Sequence, residues 1–269
     1  MAAQPKYFLV ERDGPVIIWK YNNPPKNLWS AEVVAEYNQL VEEMNGDAAL
    51  RVGIFTSALP DVFIQHYDVS LLVTLGERLK ANPNALLPSP PRPAYRPGSK
   101  VIIAAINARL AGGGLEFAQA CDFRFMSRTA WAAQLEVVLG ILAGGGGTQR
   151  MPRLIGIDKA LEMQLTGRAI YADEAERIGL ITRACDPHKL MEEAIFFAKR
   201  IAAQPPLAVA HIRKAIYEGI NMPLVDGLAL ESKLFMELVK SDDALRIMKE
   251  YVAGGQDAER LLTEIESAK

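Results

Sequence analysis

Cysteine and histidine are scarce in this chain: 269 residues contain two cysteines, Cys121 and Cys185, and three histidines, His66, His188 and His211. Two cysteines build no disulfide framework, and three scattered histidines have none of the close spacings that gather ligands round zinc, so no metal centre is expected. An excess of charge of one sign is lacking as well. The 30 lysines and arginines are set against 32 aspartates and glutamates, a net charge of −2. Such a chain has no basic surplus to neutralise a phosphate backbone, which argues against nucleic acid as a partner. No window approaches the roughly eighteen apolar residues of a membrane span. Met1 to Lys6 also lack the basic stretch and apolar run of a secretory signal. The expectation is a soluble, cytoplasmic protein without a membrane segment.

What is present is apolar. Half of the residues are hydrophobic, enough to bury a large core in one domain or in one domain with a helical annex. Tyr7 to Glu11, an Asp13-Gly14 turn and Val16 to Tyr21 read as a β-hairpin. Ser30 is placed to cap a helix over residues 30–45, in which Val33, Tyr37, Leu40, Val41 and Met44 recur at helical spacing. Strands at Val52 to Thr56, Val62 to Gln65 and Val101 to Ile106, with a helix near Ser70 to Ala81, continue a rhythm that favours parallel sheet covered by helices. Between Asn82 and Ser99 prolines at 88, 90, 91, 93 and 97, among others, predict an irregular surface loop. From Leu190 onward the pattern is helical, with segments 190–203, 207–219, 224–239 and 243–252.

The strand at Val101 to Ile106 leads through Asn107 to Ala111 into Gly112-Gly113-Gly114-Leu115-Glu116. Glycine allows close backbone approach, and the first turn of the helix that follows leaves N–H donors free, so this is a place for negative charge. The spacings of the phosphate-binding loop and of the dinucleotide fingerprint are both absent. An oxyanion site for a carbonyl oxygen remains, beside the plainer reading in which three glycines only permit tight packing of strand and helix. Glu116 lies near the helix start, where most glutamates merely complement the dipole. Glu136 lies in Gln134-Leu135-Glu136-Val137-Val138-Leu139, an otherwise apolar stretch. A carboxylate buried among such residues is paired, protonated or poised for proton transfer. Cys121 reads as a small core residue, His211 as a packing or surface residue and His188 as part of a helix start.

In order and spacing, Ile102 to Asn107, Gly112 to Asp122 and Gly144 to Gly156 resemble the signature of the crotonase, or enoyl-CoA hydratase/isomerase, superfamily. The resemblance covers nearly the whole chain. It implies an α/β fold, a crotonase-like β-β-α superhelix core over residues 1–200 with a C-terminal helical trimerisation subdomain over 201–269. It implies catalytic roles for Glu116 and Glu136 and an oxyanion hole formed by the N–H groups of Gly113 and Tyr67. Around these, Gln65, His66, Asp68, Gly112 and Leu139 are expected to touch substrate. The implied substrate is an acyl-CoA, with no separate cofactor, and the implied assembly is a homotrimer or a dimer of trimers.

The chain also departs from the family pattern. His66 stands in place of a glycine and Gln65 in place of a small residue; Ser70 replaces a frequent lysine, and Gly254-Gly255 replaces a basic ending. Lys26 and Arg51 are the remaining candidates for phosphate contacts. The expected activity is hydration of a 2-enoyl-CoA. Its rivals are enoyl-CoA isomerisation on Glu136 alone, hydrolysis of a carbon–carbon bond in a β-diketone, and a non-catalytic trimeric binding protein.

Overall fold

The computed structural model describes residues 5–82, 98 and 100–267, so most of the proline-rich segment expected as a loop lies outside the described residues. The hairpin forms as expected, from β1 (Phe8–Asp13) and β2 (Val16–Tyr21). Strand β2 then pairs in parallel with β3 (Val52–Ser57), followed across the sheet by β5 (Val101–Ile106), β7 (Phe123–Ser127) and β10 (Arg183–Cys185). A smaller sheet has the order β4 (Val62–Ile64), β6 (Arg109–Ala111), β8 (Trp131–Ala133) and β9 (Ala169–Tyr171).

From β3 to β8 the chain deals its strands alternately to the two sheets, and a helix closes each turn. Strands β3 and β4 are followed by α2 (Val69–Ala81), and β5 and β6 by α3 (Gly113–Ala120). After β7 and β8 come α4 (Gly147–Ile155) and α5 (Ile157–Thr166). This is the expected β-β-α superhelix.

Strands β3 and β5 are buried along their whole length, and β5 accordingly reads as an unbroken apolar run rather than as an alternation. On one face of the large sheet Trp19, Tyr21 and Phe55 meet Trp29, Tyr37 of α1 (Ala31–Gly46) and Phe117 of α3. The Phe55 and Phe117 ring centroids are 4.4 Å apart, and those of Tyr37 and Phe117 5.2 Å. On the other face Val16, Ile18, Ile54, Ile103 and Phe125 pack against Leu190, Ala194 and Ala198 of α7 (Leu190–Ala202). Ser30 caps α1 by accepting from the Val33 N–H, as its position predicts.

The sequence reading missed β6 to β10, the helices α4 and α5, and the short α6 (Ala172–Arg177). Four of these five strands have only three residues, too few to display a period. The C-terminal helices are α8 (Pro206–Gly219), α9 (Leu224–Val239), α10 (Asp242–Ala253) and α11 (Ala258–Ser267), the last of them unexpected. Helix α8 is moored to the core by Asp122, which accepts from Arg213 Nε at 3.0 Å, Tyr217 Oη at 2.8 Å and the Ile102 N–H at 2.8 Å. His211 packs in the α8–α9 hairpin, 3.0 Å from Glu237. Among the described residues no helix is long and apolar enough to cross a membrane.

Gly53 shows how tightly the core is filled, because a Cβ there would lie 2.4 Å from Cζ3 of the fully buried Trp19 and 3.1 Å from Met44 Sδ. Gly53→Ala is expected to lower stability by about 1–3 kcal/mol through overpacking, measured as a lower midpoint in urea denaturation with an unchanged slope.

Candidate active site

The site grows from the junction of β6 and α3. Gly112 takes φ 49°, which favours glycine, donates its N–H to Ala133 O at 2.9 Å and accepts from the Glu116 N–H at 3.0 Å. Gly114 serves packing, since a Cβ there would lie 2.6 Å from Ile64 O. Gly113 begins the helix, so its N–H has no partner in the helix's own ladder. A Cβ on Gly113 would come within 3.3 Å of the Tyr67 nitrogen, which places the two backbones side by side.

Tyr67 is held there by a parallel bridge to Trp29. The Trp29 N–H donates to His66 O at 2.9 Å and the Asp68 N–H donates to Trp29 O at 2.8 Å. In a parallel ladder the residue flanked by such a pair of bonds turns its own N–H to the opposite side. Neither the Tyr67 nor the Gly113 N–H has an acceptor among the described residues.

The departures in this loop leave its backbone intact. Asn27 and Gln256 are the non-glycine residues with positive φ among those described, so His66 replaces glycine without strain. Its ring Nδ1 donates to Tyr67 O at 2.7 Å. Gln65 Oε1 accepts from Arg109 Nε at 3.2 Å. Asp68 caps α2, accepting from the Ser70 N–H at 3.0 Å and Ser70 Oγ at 2.7 Å, so Ser70 is bound up in the cap. The side chains of Gln65 and Asp68 therefore fix the loop, while the Cβ of His66 lies 3.6 Å from where Gly112 would carry one.

The two glutamates have environments opposite to those expected. Glu116 is the buried one, 4% exposed, enclosed by the glycine cluster 144–147. Its Oε1 accepts from the Gly147 N–H at 2.7 Å, and a Cβ on Gly145 would strike Oε2 at 2.6 Å. Burial raises its pKa to about 7 against the hydrogen bond from Gly147, with the charge of Glu136 adding to the rise and Gly145 and Arg150 opposing it. Glu136 is half-buried at the start of a short 3-10 turn, Glu136–Leu139, in which Val137, Val138 and Leu139 are exposed rather than packed around it. Its partner is Gln134, whose Nε2 lies 3.0 Å from each carboxylate oxygen.

Glu136 Oε1 would lie 3.0 Å from a Cβ on Gly112, the residue whose carbonyl accepts from the Glu116 N–H, and the Glu136 charge is felt at the Glu116 carboxyl. Beside Glu136 a cavity of about 370 Å³ opens between the 3-10 turn and α5, with Val137, Ile141, Leu142, Leu161 and Leu165 among its walls. Leu139 belongs to the turn but is not part of that wall. Among the described residues no cluster of His, Cys, Asp and Glu is suited to hold a metal ion.

The sequence profile of the enoyl-CoA hydratase/isomerase family matches residues 11–257. The chain belongs to that family. It is 31% identical over 245 residues to the short-chain-enoyl-CoA hydratase of Clostridium acetobutylicum, covering 91% of this chain and 94% of the relative. It is 34% identical over 217 residues to the crotonyl-CoA hydratase of Syntrophomonas wolfei, covering 80% and 83%. The crystal structure of enoyl-CoA hydratase from Bacillus anthracis superposes with a TM-score of 0.81 at 29% identity, covering 93% of this chain and 97% of that one. Enoyl-CoA hydratase/isomerase membership makes the chain an enzyme of the crotonase fold.

Sequence reasoning missed Gln134, Gly145 and Gly147. The signal was available in part, since Gln134 is two residues from Glu136 and the glycines form a run; the contact of Gly147 with Glu116 spans 31 residues and is purely tertiary.

The raised pKa of Glu116 has a consequence for stability. Between the ordinary carboxylate range and about 7 the folded state holds a proton that the unfolded state has released, so stability falls as pH rises through this window. Glu116→Gln removes the titration. Urea denaturation at pH 5 and pH 8 is expected to show wild type losing stability relative to the variant at the higher pH, by up to roughly 3 kcal/mol.

Proposed function

We propose that this enzyme adds water across the 2,3 double bond of a 2-enoyl thioester of coenzyme A. The observation that carries the reading is the pair of glutamates at one junction: Glu136 Oε1 lies against Gly112 of the glycine turn, and Glu116 stands on the helix that follows it, whose N-terminus offers a free N–H. Hydratase relatives aligned over most of their length support it.

In this reading the thioester oxygen sits between the N–H groups of Gly113 and Tyr67. These donors are rigid, one in a helix start and one in a β-bridge, and they stabilise the negative charge that grows on the oxygen as the enolate-like transition state forms. Glu116 takes a proton from water as the water oxygen attacks Cβ. A pKa near 7 keeps a working fraction of Glu116 ionised at neutral pH while leaving it basic enough to accept that proton. Glu136 delivers a proton to Cα, and proton return from Glu116 to Glu136 resets the pair after the product leaves.

His66 and Gly112 border the thioester, Gln65 and Asp68 fix the loop beside it, and Leu139 lies along the acyl side. The coenzyme A moiety arrives with the substrate, and the reaction needs no separate cofactor or metal. Two free, buried cysteines suit a reducing compartment, and we place the enzyme in the cytoplasm.

Residues 201–269 act as the assembly unit of a trimer or a dimer of trimers, with 1–200 as the catalytic core. Support comes from the exposed apolar side chains of α8 and α9, among them Ile212, Ile216, Leu224, Val225, Leu228 and Phe235. Light scattering is expected to give three or six times the chain mass of 29.5 kDa; a monomer at micromolar concentration defeats this assignment.

Glu116→Gln and Glu136→Gln are each expected to slow hydration of crotonyl-CoA by about 100- to 10,000-fold. In wild type kcat/KM should climb with pH and level off above about 7, as free Glu116 ionises. Near-normal hydration in both variants defeats the assignment, and double-bond migration surviving in Glu116→Gln would point to isomerisation on Glu136 alone.

A further inference from the structure

We infer that Gln134 is a positioning residue for Glu136, held in its working orientation by Gln119. The inference rests on the functional reading above and assigns a role to two amides outside the carboxylate pair. Gln134 is 1% exposed and Gln119 2%, and burying two primary amides is costly unless they are there for their hydrogen bonds. Gln134 Nε2 lies 3.0 Å from both oxygens of Glu136. Its Oε1 accepts from Gln119 Nε2 at 3.4 Å. An amide whose oxygen already faces a donor presents only N–H to the other side, so Gln119 sets the polarity of Gln134.

The chain of contacts ties the two carboxylates to one element. Glu116 and Gln119 are three residues apart on α3, one helical turn, and both are buried. Glu116 reaches the site directly; Glu136, on a 3-10 turn with exposed neighbours, is fixed from α3 through two amides. Gln119 Oε1 is buried with no partner among the described residues. That unsatisfied acceptor is tolerated beside a link the site depends on, as buried polar groups at functional sites often are. Without Gln134 nothing else among the described side chains hydrogen-bonds to Glu136. Its carboxylate would then swing on the half-exposed turn, and a displacement on the order of 1 Å costs about 100-fold in a positioned proton transfer.

The test compares Gln134→Leu, which removes both amide groups, with Gln134→Glu, which keeps the shape but offers a donor only when protonated. Both are assayed for crotonyl-CoA hydration from about pH 6 to about pH 8, with circular dichroism to confirm folding. Gln134→Leu is expected to lower kcat by about 10- to 100-fold at every pH with little change in KM. Gln134→Glu should be equally slow at high pH and recover relative to Gln134→Leu as the pH falls and the new carboxyl becomes a donor. A wild-type kcat in Gln134→Leu, or a Gln134→Glu deficit that does not narrow at low pH, overturns the positioning role while leaving the hydratase reading in place. If Gln134→Leu fails to fold, the pH response of Gln134→Glu against wild type decides alone. Absence of hydration in wild type itself would instead overturn the functional reading and this inference with it.

Discussion

The candidate site depends on the burial of one short helix. Helix α3 has eight residues, of which seven are buried, and a helix of that length does not hold together in water by its own hydrogen bonds. What holds it is packing: Phe117 enters the ring cluster of Trp29, Tyr37 and Phe55, and Gly114 lets the backbone close on Ile64. Once α3 is fixed, its free N-terminal donor, the carboxyl of Glu116 and the amide of Gln119 are fixed with it. A single packed element therefore carries a free N–H, a buried carboxyl and the amide that meets Gln134.

The same burial explains the electrostatics. Glu116 is surrounded by backbone because Gly145 and Gly147 have no side chains to keep it apart, and it is satisfied by an N–H rather than by a cation. Desolvation then dominates and the proton is held into the neutral range. A salt bridge in the same place would push the group the other way and leave a carboxylate too weak as a base. The glycine cluster and the glycine turn thus have complementary work, one enclosing the carboxyl and the other exposing the donor.

The unusual loop at Gln65 to Asp68 illustrates how side chains can change while a backbone geometry is kept. The Tyr67 N–H is oriented by the bridge to Trp29, a backbone interaction indifferent to whether residue 66 is glycine or histidine. Gln65, His66 and Asp68 each find a local partner, which stiffens the loop.

Much of this was legible in the amino-acid sequence because it depends on local pattern. The hairpin, the capped α1, the long apolar strands and the donor-bearing turn at Gly112-Gly113-Gly114 follow from periodicity, capping chemistry and the conformational needs of glycine, and motif spacing pointed to the family. The three-residue strands were not legible, since three residues show no period, and the environments of the two glutamates were inverted. Neighbours in sequence suggested that Glu136 was the buried carboxylate, yet Val137, Val138 and Leu139 turn outward while Glu116 is enclosed by glycines 29 to 31 residues away. Burial is decided by what the folded chain brings from a distance. The sequence alone therefore singled out the glycine turn and the two glutamates as candidates, and only the tertiary structure decided which carboxyl holds its proton near neutrality and which amide hydrogen-bonds to the other carboxylate.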